Sequence, residues 1–177
     1  MSLIAALVIG APSTLTKTKL NGILFGKSIV FDHVQILKLS HRASVKSGSK
    51  KDEAEVYVFT FQQGADLLYD NGIKFHVNLN PGSKLENTMI NQQSLKFGTP
   101  EYSKMVHGHT TGPSCGRGAL AVFIDANGKI ESASDRIKFK FFCKALGNGE
   151  YKASIFGYAA EHKAGVQGNF RFKLEKA

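Results

Sequence analysis

Residues 106–129, VHGHTTGPSCGRGALAVFIDANGK, hold the densest group of side chains in this chain that could perform chemistry. His107, His109, Cys115 and Arg117 lie among glycines that lead into an apolar segment. A thiol beside a histidine base could act as a nucleophile, and two histidines with a thiolate could ligate zinc. Which of these reactions is feasible depends on the strands, turns or helices that hold these side chains.

Two nucleophile arrangements overlap at residues 112–118. Gly-Pro-Ser-Cys-Gly matches the Gly-x-Ser-x-Gly elbow, in which a hydrolase serine lies on the turn between a strand and a helix. A predicted strand follows here, so the pattern does not favour a serine hydrolase. The segment also resembles the nucleophile loop of the viral chymotrypsin-like cysteine proteases, which are β-barrel enzymes. The resemblance implies Cys115 as the nucleophile, His33 or His41 as the base, and Asp66 or Asp70 as the orienting acid.

A metal site at the same stretch would need more ligands. Structural zinc takes four ligands and catalytic zinc three from the protein, and beyond His107, His109 and Cys115 no candidate has a telling spacing. The glycines and Pro113 favour sharp turns, and the neighbouring threonines and serine can satisfy the backbone locally. We therefore predict a surface loop that presents His107, His109 and Arg117 for binding, with no metal and no cofactor.

Length and composition predict one globular domain over residues 1–177. A chain of this size buries roughly 70% of its unfolded surface and needs no disulfide or metal to fold. Hydrophobic residues make up 42% and charged residues 21% of the sequence. Its two cysteines indicate reduced thiols. The apolar segment 1–14 lacks the basic start of a signal peptide, so the predicted location is cytoplasmic.

Alternation of apolar and polar residues predicts an all-β fold. The clearest strands lie in GIKFHVNLNPG (72–82), RIKFKFFCK (136–144) and NFRFKLEK (169–176). Weaker candidates are residues 22–31, 34–45, 54–62, 119–125 and 152–160. About eight strands predict a single antiparallel β-sandwich or β-barrel. The predicted core comprises Phe75, Val77, Phe139, Phe141, Phe170 and Phe172, and Phe156 and Tyr158 are assigned to it as well.

The connections carry their own signals. Ser83 and Glu86 have the spacing of a capping box and predict a short helix within 83–97, and residues 62–70 are a candidate for one further helical turn. The charged stretch 46–55 is typical of a mobile loop. Asn-Gly pairs at 71–72, 127–128 and 148–149 predict hairpin turns.

The charge balance indicates the class of partner. The chain has 23 Lys and Arg against 14 Asp and Glu, a net charge of +9, which attracts polyanions. The cations expected to point outward from the last strands are Lys138, Lys140, Lys144, Arg171 and Lys173. If those strands are neighbours, the cations form a stripe that contacts phosphates without reading bases.

These observations predict a non-enzymatic structural or interaction protein. It would associate with itself and bind nucleic acid or an anionic membrane surface, a type similar to small viral coat or matrix proteins in size, charge and strand content. Two alternatives remain open. One is a small cysteine protease-like β-barrel enzyme centred on Cys115, and the other is a β-sandwich that binds a ligand or carbohydrate.

Overall fold

The computed structural model describes residues 13–42, 53–64, 72–79, 83–86, 88–92, 116–123, 130–134 and 137–174. The strands are β1 Ser13–Leu24, β2 Lys27–Arg42, β3 Glu53–Gln62, β4 Gly72–Leu79, β5 Met89–Gln92, β6 Gly116–Phe123, β7 Ile130–Ser134, β8 Lys138–Gly147, β9 Glu150–Ala159 and β10 Ala164–Lys173. They form one antiparallel sheet in the order β5-β8-β9-β10-β1-β2-β3-β4-β6-β7. A 3₁₀ turn at Ala160–His162 joins β9 to β10.

The sheet curls so that strands far apart in its order pack against each other. The ring centroids of Phe59 on β3 and Phe141 on β8 lie 5.3 Å apart, and those of Phe75 on β4 and Phe139 on β8 lie 5.5 Å apart. Phe59 also meets Phe170 of β10 edge to face at 5.9 Å. The face that carries these rings is called the inner face here, and the opposite one the outer face. The all-β prediction is therefore confirmed, as one sheet curled into a half-barrel.

The phases predicted for the three clearest strands are also confirmed. All six side chains assigned to the core from the clearest strands are between 0% and 5% exposed: Phe75, Val77, Phe139, Phe141, Phe170 and Phe172. Alternation explains this directly, because successive side chains of a strand point to opposite faces and only one face is covered.

Glycines on the central strands make room for the aromatic interior. A Cβ on Gly157 of β9 would overlap the ring of Phe75, and a Cβ on Gly22 of β1 would overlap the ring of Phe31. Both rings are fully buried. The two glycines thus mark positions where a ring packs directly against the backbone of the sheet.

The hairpin between β8 and β9 confirms one predicted Asn-Gly turn. Gly147, Asn148 and Gly149 all have positive φ, at 99°, 51° and 76°. The turn between β1 and β2 corrects another expectation, because the predicted strand 22–31 is interrupted at Phe25–Gly26. Phe25 has a φ of 50°, and the Gly26 N–H donates to the Lys163 carbonyl at 2.9 Å. The Asn-Gly pair at 127–128 and Asn71 lie outside the described residues.

The predicted helix within 83–97 is wrong where the structure describes it. Met89–Gln92 form β5, whose pairing with β8 places Ile90 opposite Phe141. The capping-box spacing corresponds to a single turn, in which the Thr88 N–H donates to the Leu85 carbonyl at 3.2 Å. Ile90 is 1% exposed, so burial against β8 outweighs the local preference for helix.

Two further predicted segments lie mostly outside the described residues. Of the charged loop 46–55, residues 53–55 belong to β3, and residues 46–52 are not described. Of residues 62–70, Gln62 ends β3 and residues 65–70 are not described. Across the ranges that are described, no helix has the length and apolar character needed to cross a membrane.

Candidate anion-binding surface

All five predicted outward cations lie exposed on the outer face. They are Lys138, Lys140 and Lys144 on β8 and Arg171 and Lys173 on β10. The two strands are not neighbours, because β9 lies between them and pairs with both. The predicted stripe therefore exists only through β9, which the sequence prediction did not include.

Lys152 of β9 connects the two sets of cations. It lies directly opposite Lys144 of β8 and directly opposite Arg171 of β10. All three side chains are exposed, and no ion pair forms at any of them among the described residues. We call Lys144, Lys152 and Arg171 the cation row. Neighbouring strands are about 4.8 Å apart, so the row extends roughly 10 Å across the sheet.

A second row crosses the outer face four residues away from the cation row along β8, β9 and β10. Lys140 lies opposite Phe156, Phe156 opposite Gln167, Gln167 opposite Asn21, and Asn21 opposite Val30. Every one of these five side chains is exposed. The row thus combines one cation, one aromatic ring, two amides and one aliphatic side chain on five consecutive strands.

The second row forms part of a pocket of about 570 Å³. Phe156, Tyr158, Ile23 and Val30 contribute apolar surface, and the residues with polar side chains are Asn21, Ser28, Gln63 and Gln167. Gly165 lies opposite both Tyr158 and Ile23, and the ring of Tyr158 packs beside its backbone. A Cβ on Gly165 would overlap the Gly157 carbonyl oxygen, so the fold requires a glycine at this position.

The positions of Phe156 and Tyr158 correct the sequence prediction. Both were assigned to the core, but Phe156 is 36% exposed and Tyr158 is half-buried on the outer face. On β9 it is Ala153, Ile155 and Gly157 that point inward. The outer face therefore presents exposed aromatic rings beside its cations, a combination that proteins use to bind single-stranded nucleic acid.

No protein-family model, curated protein or solved structure matches this chain.

The described residues give no distance between Cys115 and a histidine, so they do not support the catalytic alternative centred on Cys115. Cys115 and Asp70 lie outside the described residues, as does Asp66. The His33 Nδ1 lies 2.8 Å from the Asp32 Oδ1, which also accepts a hydrogen bond from the Gly64 N–H at 2.8 Å. That bond to His33 lowers the pKa of Asp32. His33 thus has a carboxylate partner in its sequence neighbour, which the protease resemblance did not indicate.

The other cysteine is shielded by the core. Cys143 is fully buried on the inner face of β8. Burial raises its pKa to about 12. Because the thiolate is the reactive form, a thiol in this setting is inert near neutral pH.

The predicted binding loop is only partly described. Arg117 lies in β6, opposite Asn78 of β4, so its assignment to a loop is wrong. Gly116 and Gly118 pair in the same ladder with Leu79 and Val77. The strand begins earlier than the apolar run because backbone pairing with β4 does not need apolar side chains. His107 and His109 lie outside the described residues, and within the described ones no three His, Cys, Asp or Glu residues are grouped to hold a metal.

Proposed function

We propose that this protein is a non-enzymatic nucleic-acid-binding β-domain that holds phosphates on the outer face of β8, β9 and β10. The observation that carries the proposal is the cation row. Lys144, Lys152 and Arg171 are directly opposite one another, and like charges in that arrangement destabilise a sheet. A bound polyanion would offset this repulsion, because its phosphates attract all three cations.

The charge distribution on these strands supports the same partner. β8, β9 and β10 carry six exposed cations, and Glu150 is their one acidic residue. The strands that carry the cation row are about 4.8 Å apart, so its three long side chains can contact phosphates of the same nucleic-acid strand. Backbone phosphates carry no sequence information, so binding by this row is independent of sequence.

The arrangement favours nucleic acid over an anionic membrane. The exposed aromatic ring of Phe156 lines a pocket together with Asn21 and Gln167, whose amides can donate and accept hydrogen bonds. An exposed ring beside amide groups suits a flat polar ligand. Burial in a lipid headgroup region instead requires an apolar surface that reaches the acyl chains.

Fluorescence anisotropy with a labelled 12-nucleotide oligouridylate and a 12-base-pair RNA duplex tests the proposal. Affinity should fall with salt, with log K declining by about 0.7 per log unit of salt for each phosphate contact on the single strand. The variant Lys144→Gln/Lys152→Gln/Arg171→Gln should weaken binding to both ligands and reduce the slope for the single strand by about 2.

The matched control is Lys27→Gln/Lys84→Gln/Lys163→Gln. It removes the same charge from exposed lysines outside β8, β9 and β10 and should change the slope much less. Equal effects of the two triple variants would mean that net charge alone drives binding. They would refute the proposal that the cation row is the phosphate-binding site. Binding to phosphatidylserine vesicles without binding to either RNA would show that the partner is a membrane.

A further inference from the structure

We propose that the pocket beside the second row is a subsite for one unpaired nucleobase, whose flanking phosphate lies on Lys140. This inference rests on the proposed function and adds what the cation row cannot supply, a preference for single strands over duplexes. The pocket volume of about 570 Å³ lies within the range of about 300–1,000 Å³ that is typical of small-molecule sites.

The apolar walls of the pocket fit the face of a base. Phe156 is 36% exposed and Ile23 and Val30 are 39% and 41% exposed, so all three offer surface to a ligand. Tyr158 lies on the same side, and its ring packs beside the backbone of Gly165. The exposed ring of Phe156 can stack against the face of a base that is unstacked from its neighbours on the strand.

The amides of the second row fit the edge of a base. Gln167 and Asn21 lie directly opposite each other and both line the pocket. Each carries an acceptor oxygen and a donor NH₂ group, the pattern that pairs with the hydrogen-bonding edges of bases. A duplex cannot use this site, since its bases already pair with each other and lie inside the helix.

The charge beside the pocket selects an anionic ligand over a neutral one. Lys140 lies opposite Phe156, and Lys138 lies opposite Tyr158. Directly opposite Cβ atoms are about 5 Å apart, so the phosphate of a nucleotide whose base stacks on Phe156 is within reach of the Lys140 ammonium group. From there the strand can continue along β8 to Lys144, about 13 Å away, which links the pocket to the cation row.

The test compares single-stranded and duplex affinities in one variant. Phe156→Ala should weaken binding of the 12-nucleotide oligouridylate about tenfold or more, since stacking on an aromatic side chain contributes substantially for each base. Its affinity for the 12-base-pair duplex should stay within twofold of the wild-type value. Leu146→Ala, which truncates an apolar side chain that is 45% exposed near the end of β8, is the matched control and should change neither affinity.

The conservative variant Phe156→Tyr should retain single-strand binding, because it keeps the ring. Urea unfolding of each variant checks that the fold is unchanged, as expected for exposed positions. Equal weakening of oligouridylate and duplex by Phe156→Ala, or no weakening of either, would overturn the base subsite. Either result would leave the proposed function in place if the cation-row variant still loses both ligands. Wild-type protein that binds neither RNA would overturn both proposals, and tight binding of a neutral disaccharide in the pocket would overturn the base subsite in favour of a carbohydrate site.

Discussion

The ring of Phe75 on β4 lies directly against the backbone of Gly157 on β9, although the two strands are not neighbours in the sheet. This relationship holds the curled sheet together across its interior. We expect Gly157→Ala to lower the free energy of unfolding by about 1–3 kcal/mol, because the added methyl group would have to displace the ring. Urea unfolding measures the loss.

Ser154→Ala is the control for this prediction. It lies on the same strand but is exposed on the outer face, and such changes usually fall within about 0.5 kcal/mol. A Gly157→Ala protein as stable as this control would show that the ring does not pack against the glycine.

Two adjacent phenylalanines offer a direct test of the strand phase on β8. Phe141 is 1% exposed and Phe142 is 45% exposed. Phe141→Ala should cost about 3–5 kcal/mol through lost burial and the cavity that remains. Phe142→Ala should cost far less, within about 1 kcal/mol, because its ring is already half in water. Similar losses for the two variants in urea unfolding would contradict the assignment of faces.

The buried thiol predicts selective cysteine chemistry. In a Cys115→Ser variant, Cys143 is the sole remaining thiol, and burial raises its pKa to about 12. We expect no reaction with Ellman's reagent at pH 8 in the folded state and one equivalent in concentrated urea. Rapid reaction in the folded state would mean that this part of β8 opens readily. If Cys115 is not a nucleophile, as the binding-loop interpretation predicts, this variant should also keep its fold and assembly nearly unchanged.

Stability should fall in mild acid because of His76. Burial, with a smaller contribution from Lys74, lowers the pKa of His76 below its ordinary value of 6.5. The unfolded chain then takes up a proton at a higher pH than the folded chain does. The contribution of His76 is therefore fully present above about pH 6.5 and is lost as the pH falls towards the folded pKa.

His76→Gln removes this titration and keeps a polar side chain. Its free energy of unfolding should change less between pH 7.5 and pH 5.5 than that of the wild-type protein, as measured by urea unfolding at several pH values. Parallel profiles for the two proteins would show that His76 titrates alike in the folded and unfolded states.

The alternation of β4, β8 and β10 was enough to predict their buried faces, because each has apolar residues in one phase and polar residues in the other. β9 was not predictable in this way. Its sequence from Ala153 to Ala159 is apolar in both phases except for Ser154, so alternation does not indicate which phase is covered. In the structure the phase that contains Gly157 faces inward, where the ring of Phe75 packs against the glycine backbone and leaves no room for a Cβ.

The remaining misses have similar causes. β5 was hidden because Ser83 and Glu86 have the spacing of a helix start, and its strand conformation depends on pairing with β8. The β1–β2 turn was not predicted because Phe25, a residue type that rarely adopts positive φ, precedes Gly26 there in place of the usual Asn. Lys152 was missed because strand order is not readable from sequence. Self-association and a cytoplasmic location stay predictions.

The pairing of β1 with β10 determines when the fold can be completed during synthesis. Asn21 pairs with Gln167, so among the described strands β1 has only β2 as a neighbour until β10 has left the ribosome. Phe170 and Phe172 also reach the interior only then. Until that point the nascent chain carries an open strand edge and an incompletely covered aromatic interior, and such contacts between distant segments form slowly. Pairing with β10 is therefore what covers the second edge of β1.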